Sequence, residues 1–371
     1  MRVLFAAALT IHGLIHLIGP AKAFGLAELP SLQPISRPMG LAWLSAAALF
    51  VIAGACLFAW PRGWWAIATV AVLISQGAIV ASWSTAKFGT GLNILALVIV
   101  FFGVCIEGPL SLRAQYEEDV DRGLARFTEL TPISDSELAT LPAVVQRYVR
   151  GSGVVGMARP HNVRVRMHGR IRNGPDAPWM AFTAEQYNFF DRPSRLFYME
   201  ISGGYLAVQG FHRYVGPVAS MRVNVAGLVP VVRAGGEEFT LAETVTMLND
   251  MAVLAPATLV DPKISWTSVD DGAVQASFEN TRLTVHATLG FNEAGELINF
   301  WSDDRVQLSS DGTKMRRMRW STPLFAPRSF GPVSLSGGGE GRWHDPEHEY
   351  AYIEVSFDDI QYNLRRRESA R

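Results

Sequence analysis

The chain has 371 residues, with 33 basic and 34 acidic side chains and a net charge of −1 at neutral pH. That balance supplies no global field to gather nucleic acid or an anionic surface, so a nucleic-acid partner is not expected. The charge is unevenly distributed. Residues 1–110 hold five basic side chains (Arg2, Lys22, Arg37, Arg62, Lys87) and two acidic ones (Glu28, Glu107), leaving 28 and 32 for residues 111–371.

So sharp a step marks a boundary. The expected organisation is a transmembrane four-helix bundle over 1–110, a helical connector over 111–160, an antiparallel β-rich domain over 161–364 and a basic tail over 365–371. Both cysteines, Cys56 and Cys105, fall in apolar runs of the first part. The later half therefore has no disulfide framework and no Cys-based zinc site.

Crossing about 30 Å of hydrocarbon takes about 20 mostly apolar residues. Val3–Gly19, Gly40–Trp60, Trp64–Trp83 and Gly91–Pro109 meet or approach that length. Trp60, Trp64 and Trp65 around Pro61-Arg62-Gly63 mark a short interfacial turn. The first run is the shortest, and Ala21-Lys22-Ala23 has the form of a signal-peptide cleavage site. With or without cleavage, the even or odd span count leaves the later half on the side of the uncleaved N-terminus. Arg2, Arg62, Arg113, Arg122 and Arg126 would share that side, against Lys22, Arg37 and Lys87 on the other. The excess favours a cytoplasmic later half.

Polar residues within the spans are candidate sites, because a bilayer offers them no partners. His12 and His16 lie one helical turn apart on one face. Gln76 lies mid-span and Asn93 early in the fourth span, while Lys22 and Lys87 fall on loops of one side. Two readings stand: a polar pocket for a metal, a quinone headgroup or a proton relay, or interhelical hydrogen bonding alone. Zinc would need a further ligand, no Asp occurs in residues 1–110, and no metal or cofactor is assigned.

Beyond the spans, Gln115–Thr128 reads as a polar helix. Ser134 or Asp135 can cap a short helix, and Pro142–Arg150 forms another, ending at Gly151. From His161 the pattern alternates, with Val163, Val165 and Met167 on one face. Similar runs follow at Met180–Phe190, Arg195–Ile201, Phe211–Val215, Met221–Val225, Ile264–Ser268, Val274–Phe278, Leu283–Phe291, Leu297–Asp303, Lys314–Ser321 and Ala351–Gln361. Asn173-Gly174, Asp270-Asp271-Gly272, Asn292–Gly295 and Asp311-Gly312 supply turns. One helix interrupts the series, Leu241–Ala255, with Thr240 and Glu243 placed as a capping box and Pro256 as its stop. The fold class expected is α+β: a long curved antiparallel sheet, a half-barrel, with one covering helix. Its concave face either encloses an apolar ligand or is filled by the helix.

No G-x-S-x-G, H-E-x-x-H or P-loop occurs, so no catalytic residue and no enzymatic activity is assigned. Glu185, Arg213 and Asp250 are candidate ligand-binding residues, with a Glu185–Arg213 ion pair conceivable, and ion pairs of this kind also occur for structure alone. Trp343-His344-Asp345-Pro346-Glu347-His348 offers metal-type side chains, but Asp-Pro and its polarity favour a hydrated turn.

Two stretches carry a resemblance. His12–His16, Lys22–Pro30 and Gln33–Pro38 in the first part, with Leu141-Pro142 to Val155-Gly156, Phe182–Tyr187, Leu228–Val232 and Asp261-Pro262 in the second, resemble a bacterial family of uncharacterised membrane proteins with a C-terminal domain of unknown function. That resemblance implies no activity. His12-Gly13-Leu14 and the span layout are similar to DoxX-type four-helix membrane proteins over residues 1–110, which would imply redox or quinone association. The sheet-and-helix pattern is similar to the lipoprotein-carrier half-barrel, an analogy of fold only. The expected function is a membrane protein whose half-barrel binds a lipid or other apolar ligand. The alternatives are a redox, quinone or metal component working among the spans, and a structural assembly protein.

Overall fold

The computed structural model describes residues 2–28, 30, 33–129, 131–202, 206–270, 272–309 and 314–368. By its contacts the chain divides into two units, Met1–Ala114 with Ala226–Leu228, and Gln115–Val225 with Val229–Arg371.

The first unit contains α1 (Arg2–Ile15), α2 (Ile18–Ala23), α3 (Arg37–Ala59), α4 (Trp64–Ala81), α5 (Trp83–Ala86) and α6 (Gly89–Glu107). It supplies four helices long and apolar enough to cross a membrane, α1 and α2 together making the first. That first run does not continue unbroken to Gly19. Pro20 lacks the N–H that would bond the His16 carbonyl, which Gly19 takes instead at 3.2 Å, and the helix steps. Small side chains such as Ala46, Ala53, Ala68, Ala71 and Ala96 are buried between helices, whereas Leu4, Leu73, Val80 and Leu97 face outward. Small residues let backbones approach, and the outward apolar faces suit lipid rather than water. At Gly103 a Cβ would sit 2.2 Å from the Trp64 ring, so only glycine fits. Glu107 accepts from Arg2 at 2.6 Å and from the Trp64 indole at 3.2 Å, joining three helix ends.

α7 (Leu112–Leu124), which belongs to the second unit from Gln115 onward, is followed by α8 (Asp135–Leu138) and α9 (Ala143–Gly151). Ser134, rather than Asp135, caps α8 through a capping box with Glu137. Among the described residues seventeen strands follow. The first six are β1 (Asn162–Ile171), β2 (Met180–Phe189), β3 (Ser194–Ile201), β4 (Val208–Val215), β5 (Val218–Val225) and β6 (Val229–Gly235). After α10 (Glu237–Leu254) come β7 (Ile264–Ser268), β8 (Ala273–Asn280), β9 (Leu283–Phe291), β10 (Leu297–Ser302), β11 (Val306–Leu308) and β12 (Met315–Arg317). The chain ends through β13 (Trp320–Pro323), β14 (Pro327–Phe330), β15 (Val333–Ser336), β16 (Gly338–His344) and β17 (Glu349–Tyr362).

Thirteen strands form one antiparallel sheet, in the order β6-β5-β4-β3-β2-β1-β17-β16-β13-β10-β9-β8-β7. It is two meanders zipped together where the first strand, β1, pairs with the last, β17. The two edges, β6 and β7, are consecutive strands joined through α10. The helix therefore runs from one edge of the curved sheet to the other, across its concave face. Fifteen of its eighteen residues are buried. This is the expected half-barrel with its covering helix.

Several local expectations differ from the structure. The helix starts a turn earlier than Leu241, because Gly236 is its N-cap. Thr240 lies inside it and donates to the Gly236 carbonyl at 2.7 Å, so Thr240 and Glu243 form no capping box. The run Lys314–Ser321 divides into β12 and β13, which pair with different neighbours. β6, β14 and β16 carry no clear alternation, and β15 alternates over only four residues. In β16, Gly338 is required because a Cβ would meet the Val355 carbonyl at 2.0 Å. Asp271 and the Asp311-Gly312 turn lie outside the described residues, as do the last three of the tail. Arg367 of that tail pairs with Asp121 at 3.0 Å and with Glu117 at 3.1 Å on α7.

The last turn of α10 leaves carbonyls without helical partners. Tyr148 donates to Ala252 O at 2.7 Å and Tyr362 to Leu254 O at 2.5 Å. Tyr148→Phe strands a buried carbonyl and is expected to destabilise the protein by about 1–3 kcal/mol. Chemical denaturation followed by tyrosine-region circular dichroism measures it, and an unchanged midpoint contradicts the assignment.

Candidate functional site

Between α10 and the concave face of the sheet lies a chamber of about 160 Å³. Much of its wall is apolar, with Met167, Phe197 and Met199 from β1 and β3, Val253 and Leu254 from α10, and Ile353, Val355 and Phe357 from β17. Its other side is charged. Glu243 and Asp250 are seven residues apart, two turns along one side of α10.

Arg195 of β3 donates from Nε to Asp250 at 2.8 Å and lies 3.4 Å from Glu243 through Nη1. Arg305, just beyond β10, donates from Nη1 to Glu243 at 3.1 Å, to Thr246 Oγ at 2.6 Å and to the Ala242 carbonyl at 2.8 Å. Gln186 and Asn188 of β2 donate to the same Asp250 oxygen at 2.8 and 2.9 Å. The Arg305 guanidinium stacks 4.7 Å from the Trp320 ring. Burial pushes the Glu243 carboxyl up, but Arg305 and Arg195 outweigh it and hold the group below the ordinary glutamate range. At Asp250 burial wins and raises the carboxyl, with Arg195 opposing. His212, edge-on to Phe197 at 5.7 Å, is lowered by burial to about 4 and faces the chamber as a neutral ring.

Of the residues singled out from the sequence, Asp250 lines this chamber and Glu185 and Arg213 do not. Glu185 and Arg213 form no pair with each other. They lie on the other face of the sheet, where α7 packs. Arg213 makes a two-pronged contact with Asp119 at 2.7 and 3.2 Å, and Glu185 accepts from Tyr116 at 3.1 Å and lies 3.5 Å from Arg166. Sequence reading missed Glu243, Arg195, Arg305, Asn249 and Trp320. A signal was present for Glu243: it stands seven residues before Asp250, on the same side of the helix, with no basic residue on that helix to pair with either.

In the first unit, His16, Gln76 and Asn93 join one polar chain. His16 Nε2 lies 2.7 Å from Ser75 Oγ, Ser75 lies 2.8 Å from Asn93, Asn93 donates to Gln76 at 2.8 Å, and Gln76 donates to Thr90 at 3.2 Å. His12 stacks on Phe50 at 4.3 Å, and its Nε2 has no partner among the described residues. Both histidines line a cavity of about 200 Å³ with Trp43. Lys22 lies on α2, and Lys87 sits 5.5 Å from the Phe88 ring. His344, the last residue of β16, lies 2.7 Å from Ser321 Oγ, and in the turn after it Asp345 pairs with Arg316 at 2.8 Å. Among the described residues no three His, Cys, Asp or Glu side chains are grouped to hold a metal ion.

Comparison with known proteins gives one family. A model described as "Family of unknown function (DUF6544)" matches residues 131–355, which excludes the spans. No curated protein matches the chain. Among solved structures it is similar to a Vibrio parahaemolyticus domain assigned to outer membrane lipoprotein sorting, with a TM-score of 0.34 and 7% identity over 61% of this chain and 91% of that one. It is also similar to a DUF1329 family protein from Desulfovibrio piger ATCC 29098, with a TM-score of 0.29 and 9% identity over 63% and 95%.

His212 makes a pH prediction. Its ring titrates near 6.5 when unfolded and near 4 when folded, so between those values the unfolded chain binds the extra proton. Stability from this group is complete above pH 6.5 and declines as pH falls toward 4. Thermal unfolding of wild type and His212→Asn across that window is expected to show a shallower slope in the variant. Equal slopes would remove the assignment.

Proposed function

Since the chain belongs to the DUF6544 family of unknown function, we propose, from its own chamber, that it is a membrane-anchored binding protein whose curved-sheet unit takes a lipid or other apolar molecule. The supporting observation is the apolar-walled chamber left between sheet and helix, where a helix that simply filled the concave face would leave none. A cavity of about 150 Å³ with apolar walls admits benzene. A chamber of about 160 Å³ therefore takes a compact part of a molecule, a chain end or one ring. The four spans would hold the protein in the bacterial inner membrane. The arginine excess at Arg2, Arg62, Arg113, Arg122 and Arg126 favours the cytoplasmic side for the binding unit.

Val253 is 3% exposed and lines the chamber. Val253→Trp fills it, at a strain cost of about 1–3 kcal/mol. Native mass spectrometry of the full chain is expected to show a small apolar adduct that the variant lacks. Identical adducts in both proteins, or none in either, would count against the proposal.

A second reading, a site among the spans, is favoured by the cavity at His12 and Trp43, both of which carry a ring nitrogen with no partner among the described residues. With the chamber filled by Val253→Trp, His12→Phe is then expected to abolish the remaining binding of a lipid-soluble carbonyl probe by the full chain in phosphatidylcholine nanodiscs. Unchanged binding leaves His12 as interhelical packing.

A further inference from the structure

Building on the chamber reading, we infer that the occupant turns an uncharged carbonyl, of an ester or amide, toward Trp320. Four polar atoms of chamber-lining residues have no hydrogen-bond partner among the described residues: Trp320 Nε1, Arg305 Nε, Thr322 Oγ1 and Asn249 Oδ1. Trp320, Arg305 and Asn249 are 5%, 8% and 8% exposed, so bulk water does not readily serve them. Buried polar groups are almost always paired, and each exception calls for an explanation.

The four belong to one region. Trp320 and Thr322 are two apart on β13 and share its face. The Arg305 guanidinium lies 4.7 Å from the Trp320 ring. Its Nη1 reaches Thr246 at 2.6 Å, one helical turn before Asn249 on α10.

The donor set specifies the ligand atom. Indole and guanidinium nitrogens can only donate, so the atom facing them must accept. A carbonyl oxygen has two lone pairs and can take two such donors at once. Charge excludes an anion. Arg195 and Arg305 already face Glu243 and Asp250, two against two, and a further carboxylate would enter a buried site without a counter-charge of its own. The hydrocarbon part of the occupant lies against Phe197, Met199, Val253, Leu254 and Ile353. The ligand class is thus an acyl ester or amide rather than a free fatty acid or a bare hydrocarbon.

Three size-matched probes test this: methyl pentanoate, hexanoate and heptane, each carbon-13 labelled. Binding to the full chain in phosphatidylcholine nanodiscs is measured by NMR, with Val253→Trp as the blank for uptake into the bilayer. The ester is expected to bind about tenfold more tightly than heptane, the value of one net hydrogen bond to a buried donor. Hexanoate is expected to bind more weakly than the ester. Trp320→Phe keeps a ring against Arg305 and is expected to bring ester and heptane within about twofold, with heptane unchanged. Should that variant not fold, Thr322→Val keeps the shape and is expected to narrow the preference about threefold. Equal binding of ester and heptane by the wild type, or tightest binding of hexanoate, overturns the inference and leaves the chamber standing. No probe above the blank overturns both.

Discussion

Two carboxylates, Glu243 and Asp250, are carried into the protein interior on a helix buried on nearly every side, and two guanidiniums from the sheet have to meet them. An uncompensated buried charge costs several kcal/mol, whereas a matched pair adds little net stability over apolar packing. The network therefore acts mainly on geometry. It fixes the roll and the depth of α10, because a rotation or a shift of one turn separates Asp250 from Arg195 and Glu243 from both arginines. The chamber is the space that this fixed position leaves between helix and sheet.

The topology favours that position. α10 connects β6 to β7, the two free edges of a sheet whose first and last strands are zipped at its centre. The concave face is the shorter way between the two edges of a curved sheet. On the other face, residues of α7 cover β2 to β4 through Tyr116, which stacks on Tyr198 at 5.4 Å, and through the Asp119–Arg213 pair. The sheet is thus covered on both faces in this region. Glu185 and Arg213 on the α7 side are engaged with Tyr116, Arg166 and Asp119, and Glu243 and Asp250 on the α10 side face a space.

The four helices long and apolar enough to cross a membrane pose the same question. Lipid provides no hydrogen bonds, so polar groups there must find partners within the bundle. His16, Ser75, Asn93, Gln76 and Thr90 do so along one series of hydrogen bonds. His12 stacks on Phe50 and leaves one nitrogen at a cavity. The two histidines, one turn apart in sequence, thus have different surroundings.

Much of the fold was legible because it rests on local patterns. Four apolar runs of the right length, alternation from His161 onward and Pro256 at the end of an apolar helix follow from hydropathy, period and ring geometry. β16 was hidden because glycines chosen for close backbone approach carry no alternation. Asp250 could be singled out as an acid in an apolar helix, while Glu243 passed for a capping partner because its helix begins one turn earlier than the pattern suggests. What the sequence by itself determined is where the long apolar helices lie, where the chain turns to strand, and that one helix carries acids into an apolar setting. Only the tertiary structure decided which arginines answer them, that Glu185 and Arg213 stand on the opposite face, and that a chamber remains. Those are contacts between residues tens of positions apart, and neither composition nor period encodes which distant charges meet.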